Sequence, residues 1–446
     1  MPKPVKFVIA ETEEFLTSHS GLAILGALIQ GSGLRQSLKG ILPTKRLGSK
    51  SSFDALVSMA GLLSLAKPDF AAIEPFRNDD YFRMTLGLTD VPSESTLRQR
   101  LDEIAVAGPA VRQKVLEATA KTIRERAPQL SPCFKDFIAI DGDVSPFDNS
   151  GTKKEGVSCT YKLMDGYAPM FAYIGKEGYL LNAQLREGKQ HCQSGTPEFL
   201  SETFNLARKA TDKSLLVRLD SGNDDIENIQ VCRKEKVNFV IKRNLRKESI
   251  SEWLADAQAL GDLRTPREGK DVYVGETIRA RGGKFLRVVF QVTERTSTRE
   301  GQTLLIPEVK VETWWTSLGR RMATPDDVIA IYKDHGTSEQ FHSEMKSDMD
   351  LERLPSGKFA TNALILTLAV PVFTMLRLCG QEGMRNGFVP ARKQVARRRI
   401  RTVIQDMIYM AARIVTHARR IYITLSNRNP VREAWTKTYL AFAGAG

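Results

Sequence analysis

The hydrophobic pattern changes character along the chain. Up to about residue 130, apolar residues recur at helical spacing, in FDALVSMAGLLSLAK and again from Val106 to Ile123. Between these runs, VPSESTLRQRLDEIA starts a helix at Pro92 and Ser93 and then presents Thr96, Arg98, Gln99 and Arg100. From about 131, short apolar runs take over. FIAID and LLVRLD each end in an acid, YAPMFAYIG and YLLNAQLRE flank a KEG turn, and NFVIKRN reads as a further strand. PEFLSETFNLARKAT and NDDIENIQVCRKEK are helical. The order strand, hairpin, helix, strand, helix, strand predicts a mixed sheet flanked by helices.

Residues 246–320 interrupt that order. DVYVGETIRARGGKFLRVVFQVTER alternates around Gly282-Gly283, a hairpin signal that puts Val288, Phe290 and Val292 on one face. An inserted β subdomain is expected here. ATPDDVIAIY then restarts a helix, with Thr324 as cap and Pro325 in the first position. The most apolar run, Ala360 to Gly380, contains Asn362, Pro371 and Arg377, which predicts a buried core helix rather than a membrane span. Residues 381–446 read as basic and helical, with AFAGAG as a frayed tail.

Composition narrows the functional classes. A chain of 446 residues favours two to four domains. The net charge of +13 favours a polyanionic partner, nucleic acid before an anionic membrane surface. Arg385 to Arg420 holds ten basic residues, among them Arg392, Lys393, Arg397, Arg398 and Arg399, against the single acid Asp406. Such a one-sided stretch suits phosphate contacts, although charge runs are commonly solvated helix faces. The five dispersed cysteines contain no C-x-x-C pair, which argues against a disulfide framework or structural zinc and fits a reducing cytoplasm. The N-terminal MPKPVKFVIAETEEFL lacks the apolar core and cleavage site of a signal peptide.

Candidate chemistry lies in the acids. Asp141 ends FIAID and Asp220 ends LLVRLD. Side by side, two carboxylates repel and one must protonate, unless a divalent cation such as Mg²⁺ or Mn²⁺ lies between them. A third carboxylate from a helix would complete a site for two metals about 3.5–4 Å apart. Each aspartate also precedes a turn, and Asp143, Asp148, Asp224 and Asp225 lie nearby. Position directly after an apolar run selects Asp141 and Asp220. In IYKDHGTSEQFHSEMK, Glu339 has His342, Ser343 and Lys346 at helical spacings after it, with His335 and Tyr332 one and two turns before. Phe341 and Met345 form a separate apolar stripe. Alternatively Gly336 breaks the helix, Thr337 caps a new one and Gln340 closes a capping box.

The spacing Tyr332-x2-His335-x3-Glu339-x6-Lys346 resembles the Y-x2-R-x3-E-x6-K signature of DDE transposases from bacterial insertion sequences. IAIDG and LLVRLDSG are similar to that family's two aspartate segments, and the branch most like this chain is insertion-sequence family thirteen-eighty. PSESTLRQR, KRN and the basic run ending near HARR support the likeness. The resemblance implies an α/β, ribonuclease-H-like core at 131–245 and 321–380, with a β insertion at 246–320. A helical DNA-binding and dimerisation region at 1–130 and a basic helical region at 381–446 would flank it. It further implies Asp141, Asp220 and Glu339 as ligands of Mg²⁺, with Mn²⁺ able to substitute. Tyr332 and Lys346 would contact DNA phosphates, and Trp314 or Trp315 would stack on a base at the DNA end. Arg98, Arg100, Lys242, Arg243 and Arg397 to Arg399 are further DNA-binding candidates. The signature arginine is His335 here, which exchanges a charged fork for an imidazole. The implied activity is cleavage at terminal repeats and 3′-hydroxyl strand transfer into target DNA, by a homodimer on double-stranded DNA in the bacterial cytoplasm at the nucleoid, with no membrane partner. A nuclease of the same fold without strand transfer, or a silent DNA-binding derivative, are the alternatives.

Overall fold

The computed structural model describes residues 6–43, 51–127, 130–298, 300–388 and 395–444. Arg392, Lys393 and the last two residues of the AFAGAG tail lie outside them. Helices α1 (Leu22–Gly31), α2 (Ser52–Ser64), α3 (Glu94–Ala105) and α4 (Gly108–Arg126) precede the sheet. Ser93 caps α3 by accepting from the Thr96 amide, and Leu97, Leu101 and Ile104 face inward.

The core sheet starts with β1 (Ile138–Val144), β2 (Met170–Ile174) and β3 (Tyr179–Gln184). Helix α5 (Thr196–Ala210) leads to β4 (Leu215–Leu219), and α6 (Ile226–Lys234) leads to β5 (Asn238–Lys242). These strands lie in the order β3-β2-β1-β4-β5, with β2 antiparallel to both neighbours and β1, β4 and β5 parallel. That is the mixed sheet the order of elements predicted, in the ribonuclease-H-like arrangement the resemblance implied. Every residue of β4 is buried, as a strand covered by helices on both faces requires.

Helix α7 (Ile250–Leu260) and strands β6 (Asp262–Arg267), β7 (Lys270–Arg281), β8 (Lys284–Ser297) and β9 (Thr303–Thr316) follow. The β7–β8 hairpin turns at Gly282 and Gly283, whose φ of +53° and +71° suit a two-residue turn between paired Arg281 and Lys284. Val288, Phe290 and Val292 are all buried. These strands do not make a sheet of their own. β9 pairs with β5, so one nine-stranded sheet runs through core and insertion.

Helix α8 (Pro325–Asp334) begins with a capping box between Thr324 and Asp327. It passes through one 3₁₀ turn (His335–Thr337) into α9 (Ser338–Ser343) and a π-helical turn (Glu344–Asp348). Thr337 does not cap α9; its hydroxyl donates back to the Asp334 carbonyl at 2.9 Å. The most apolar 18-residue window of helix α10 (Phe359–Arg385) has a mean hydropathy of 1.9, and 89% of that window is buried, with the helix packed against α4 and β3. The terminal region departs from the helical expectation. It holds a hairpin of β10 (Ala412–His417) and β11 (Arg420–Leu425) before α11 (Arg432–Ala443). Ile414, Val415 and Thr416 on one strand and Ile421, Tyr422 and Ile423 on the other favour extended backbone.

Candidate active site

The register of β1 against β4 determines which acids meet. Asp141 pairs with Arg218, and Gly142 with Leu219. One step further, toward the carboxyl ends of both strands, Asp143 comes beside Asp220. Side chains alternate in direction, so Asp141 and Asp143 share a face, two residues apart in depth.

The deeper acid is occupied. Asp141 is 1% exposed, and Arg218 donates to it from Nε and Nη2, both at 2.6 Å. His335 Nδ1 lies 2.9 Å from the same carboxylate. Burial alone would push the Asp141 pKa up, but the charges of Arg218 and His335 outweigh it and bring it to about 2. Arg218 also donates to the Ile331 carbonyl at 2.9 Å and to Asp334 at 3.0 Å, tying β1 and β4 to the end of α8. The expectation that Asp141 reaches the cleft is therefore corrected: it forms a buried ion pair because the facing position on β4 is an arginine.

The acid that does reach the cleft is Asp143. A cavity of about 840 Å³ is lined by Asp143, Asp220, Glu339, Tyr332, His342 and Lys346, among others. Asp220 is held by Asn223, which donates at 2.7 Å. Burial, and then the charge of Asp143, raise the Asp220 pKa above its ordinary value. The Tyr332 hydroxyl pKa is raised by burial and then by Asp220, Asp143, Glu312 and Glu339, which places it within the field of all these acids. His342 is buried, with Nε2 3.3 Å from Asp143 Oδ2 but without hydrogen-bond geometry. Glu339 is exposed on the first turn of α9. Lys346 lines the same cavity, donates to the Pro146 carbonyl, and has its pKa lowered by burial.

Other sequence candidates fall into two groups. His335, at the signature arginine's position, borders the cleft, yet it is 6% exposed and its Nδ1 is committed to Asp141. Trp314 and Trp315 are each 1% exposed, which removes them as exposed stacking platforms. Trp314 packs its ring 5.7 Å from that of Tyr332, and Trp315 Nε1 donates to Asp224 at 2.9 Å. Arg243 is buried, stacked 4.4 Å over Trp315 and bonded to Glu248. Lys242 pairs with Glu312 at 3.0 Å and lies 5.9 Å over the Tyr332 ring. Arg98 and Arg100, on α3, pair with Glu94 and Glu103 and do not line the cleft.

The basic segment braces the helix that carries Glu339. Arg399 chelates Asp348 at 2.8 and 3.0 Å, Arg397 donates to Gln340 at 2.7 Å, and Arg398 donates to the Phe388 carbonyl at 2.5 Å. Behind them Arg377 and Glu344 form a buried ion pair. Each of these three arginines thus has a protein oxygen as hydrogen-bond partner, a carboxylate in the case of Arg399.

Sequence reasoning did not single out Asp143 and His342, which line the cleft, or Arg218, which pairs with Asp141. Asp143 carried a usable signal, since D-G-D in a strand puts both acids on one face. Its pairing with Asp220 depended on register.

No curated protein matches the sequence. Among solved structures, a cryo-EM structure of the piggyBac transposase synaptic complex with hairpin DNA is similar at a TM-score of 0.38 and 12% identity, covering 88% of this chain and 80% of that one. The profile of the family described as "Transposase DDE domain group 1" matches residues 5–443. With acids from two adjacent strand ends and a helix around one cleft, and a family match from end to end, the chain belongs to that transposase family.

Proposed function

We propose that this transposase cuts DNA at the ends of its element and joins the freed 3′-hydroxyl to target DNA, with Asp143, Asp220 and Glu339 holding the divalent metal. The observation that carries this is the pair Asp143–Asp220, like charges on neighbouring strand ends, with the Asp220 pKa raised by burial and then by Asp143, facing Glu339 across one cleft. The residues fit the ion chemically. Three carboxylates offer hard oxygen donors suited to Mg²⁺ or Mn²⁺. The buried His342 Nε2, 3.3 Å from Asp143 Oδ2, has no hydrogen bond of its own. Among the described residues no three such side chains are gathered tightly enough to ligate one ion. Glu339, exposed on its helix, is the one with room to swing inward.

When bound, the metal supplies activation of an attacking oxygen and charge stabilisation at the phosphodiester. The protein's own groups prepare the cleft. The Arg218–Asp141–His335 array locks β1 to β4 and to the end of α8, fixing where Asp143 and Asp220 stand relative to Glu339. Lys346 and Tyr332 border the acids and supply donors for a phosphate. The transposon terminal repeats, the target DNA and a homodimer on DNA belong to this reading. So does membership of the branch whose Y-R-E-K signature carries a histidine here.

The test is a labelled duplex carrying the element's ends, incubated with Mg²⁺ and either wild type or Glu339→Gln. Nicking at the end, lost in the variant while DNA binding persists, supports the assignment. A pre-cleaved end that fails to join a plasmid, when nicking is intact, indicates a nuclease without strand transfer. Binding by both proteins with cutting by neither, in Mg²⁺ or Mn²⁺, indicates a silent DNA-binding derivative.

A further inference from the structure

At the rim of the cleft a short hairpin joins strands Ser158–Cys159 and Asp165–Tyr167, the second also pairing with Phe147–Asp148. Its tip is closed by hydrogen bonds. The Thr160 amide donates to the Met164 carbonyl and the Leu163 amide to the Thr160 carbonyl, both at 2.9 Å. Its base is anchored through buried Phe147 and Tyr167. The tip residues Tyr161, Lys162 and Leu163 are therefore held in place rather than trailing.

Their chemistry is unusual for a solvated turn. Leu163 is 88% exposed and has a φ of +57°, a left-handed backbone that a branched aliphatic residue rarely adopts. Tyr161 is 63% exposed, lines the acid cleft and donates to the Val144 carbonyl at the end of β1. Lys162 lines the same cleft. A turn selected only for solubility would place glycine or asparagine at the left-handed position. Here an aromatic ring and a cation line the acid cleft and an exposed apolar side chain follows them in the same tight turn, while both tryptophans expected to stack are buried.

We propose that this tip is a wedge: Leu163 inserts beside a base step next to the scissile phosphate, Tyr161 stacks on the displaced base, and Lys162 contacts the adjoining backbone. The inference rests on the proposed DNA cleavage at this cleft. Apolar side chains partly unstack duplexes in this way, and aromatic rings bind bases without regard to sequence. The wedge opens the duplex so that one strand can reach carboxylates recessed at the ends of β1 and β4.

The experiment uses the full chain and a duplex from the DNA flanking the coding sequence, with 2-aminopurine at the positions next to the cut. Ca²⁺ replaces Mg²⁺ during the fluorescence measurement. Leu163→Gly is the informative variant, because it removes the side chain while easing the backbone. The expected result is a several-fold fluorescence rise with wild type that Leu163→Gly loses, with duplex affinity by anisotropy changed only a few-fold. Nicking in Mg²⁺ should fall with Leu163→Gly and recover on a duplex mismatched at the same positions. A full rise and full nicking with Leu163→Gly overturn the wedge. So does loss of signal that tracks loss of a protein dimer seen by light scattering without DNA. Wild type that nicks an intact duplex without a rise refutes the wedge alone, whereas wild type that nicks nothing in Mg²⁺ or Mn²⁺ refutes the cleavage reading with it.

Discussion

Replacing Asp141 by asparagine separates a structural acid from a metal-holding one. The change keeps the side chain's shape but leaves buried His335 without its carboxylate partner and buried Arg218 with only the more exposed Asp334 as counter-charge. The Asp141 pKa lies at about 2 against an ordinary 3.8, a difference of about 1.8. At 1.36 kcal/mol per unit this is on the order of 2–3 kcal/mol at neutral pH. Breaking a buried pair by removing one partner costs about 3–5 kcal/mol. A loss near 3 kcal/mol is therefore expected for Asp141→Asn, read as a lower urea midpoint at unchanged slope. The depressed carboxylate pKa also sets the pH dependence. Its contribution is complete above 3.8 and is lost as pH falls toward about 2, so the gap between wild type and variant closes in acid. Asp143→Asn should do the reverse: it removes a like charge beside Asp220, leaves stability unchanged or slightly raised, and abolishes metal-dependent cutting. A fully stable Asp141→Asn would refute the assignment of Asp141 to the buried ion pair.

Further outcomes follow from the same geometry. Because the Asp220 pKa is raised, the metal-free fold is favoured below its ordinary value and loses that advantage as pH rises through the raised one, so Asp220→Asn should be more stable than wild type near neutrality. Ca²⁺ at a hundredfold excess over its Kd should stabilise wild type by about 2.7 kcal/mol in a urea titration, less as pH falls toward the raised Asp220 pKa, and should leave Asp143→Asn and Asp220→Asn unaffected. Arg377→Ala should cost about 3–5 kcal/mol by leaving buried Glu344 with only the more distant Arg397, and Arg377→Met with Glu344→Leu should recover much of it, both read by urea unfolding. If Lys346 contacts a phosphate, Lys346→Ala should reduce the slope of log K against log salt for DNA binding by about 1.

Much of the architecture was legible in the sequence because period and punctuation agree there. Apolar runs such as LLVRL can only be strands buried on both faces, and Gly282-Gly283 between alternating residues can only be a tight turn. The terminal hairpin was less visible. HARR between two β-branched runs reads as basic helix surface until Ala418 and Arg419 are seen at φ of +49° and +64°. At the cleft, the positions of Asp220 and Glu339 were legible as an acid after an apolar strand and an acid in a spaced signature, and both line it. The choice between Asp141 and Asp143 was not, because both lie on one face and only the register of β1 against β4 shows that Arg218 claims the first. The partners of the basic segment were hidden for a related reason, since charge imbalance along a sequence does not reveal acids such as Asp348 that face it across space.

The most direct test of the metal assignment is Mn²⁺ binding followed by electron paramagnetic resonance, with no DNA present, for wild type, Asp141→Asn, Asp143→Asn and Glu339→Gln, each checked for folding. The expected result is tight Mn²⁺ uptake by wild type, uptake retained by folded Asp141→Asn, and weakened uptake by Asp143→Asn and Glu339→Gln. Uptake that survives Asp143→Asn and disappears with a folded Asp141→Asn would contradict the assignment and return the first ligand to the deeper acid.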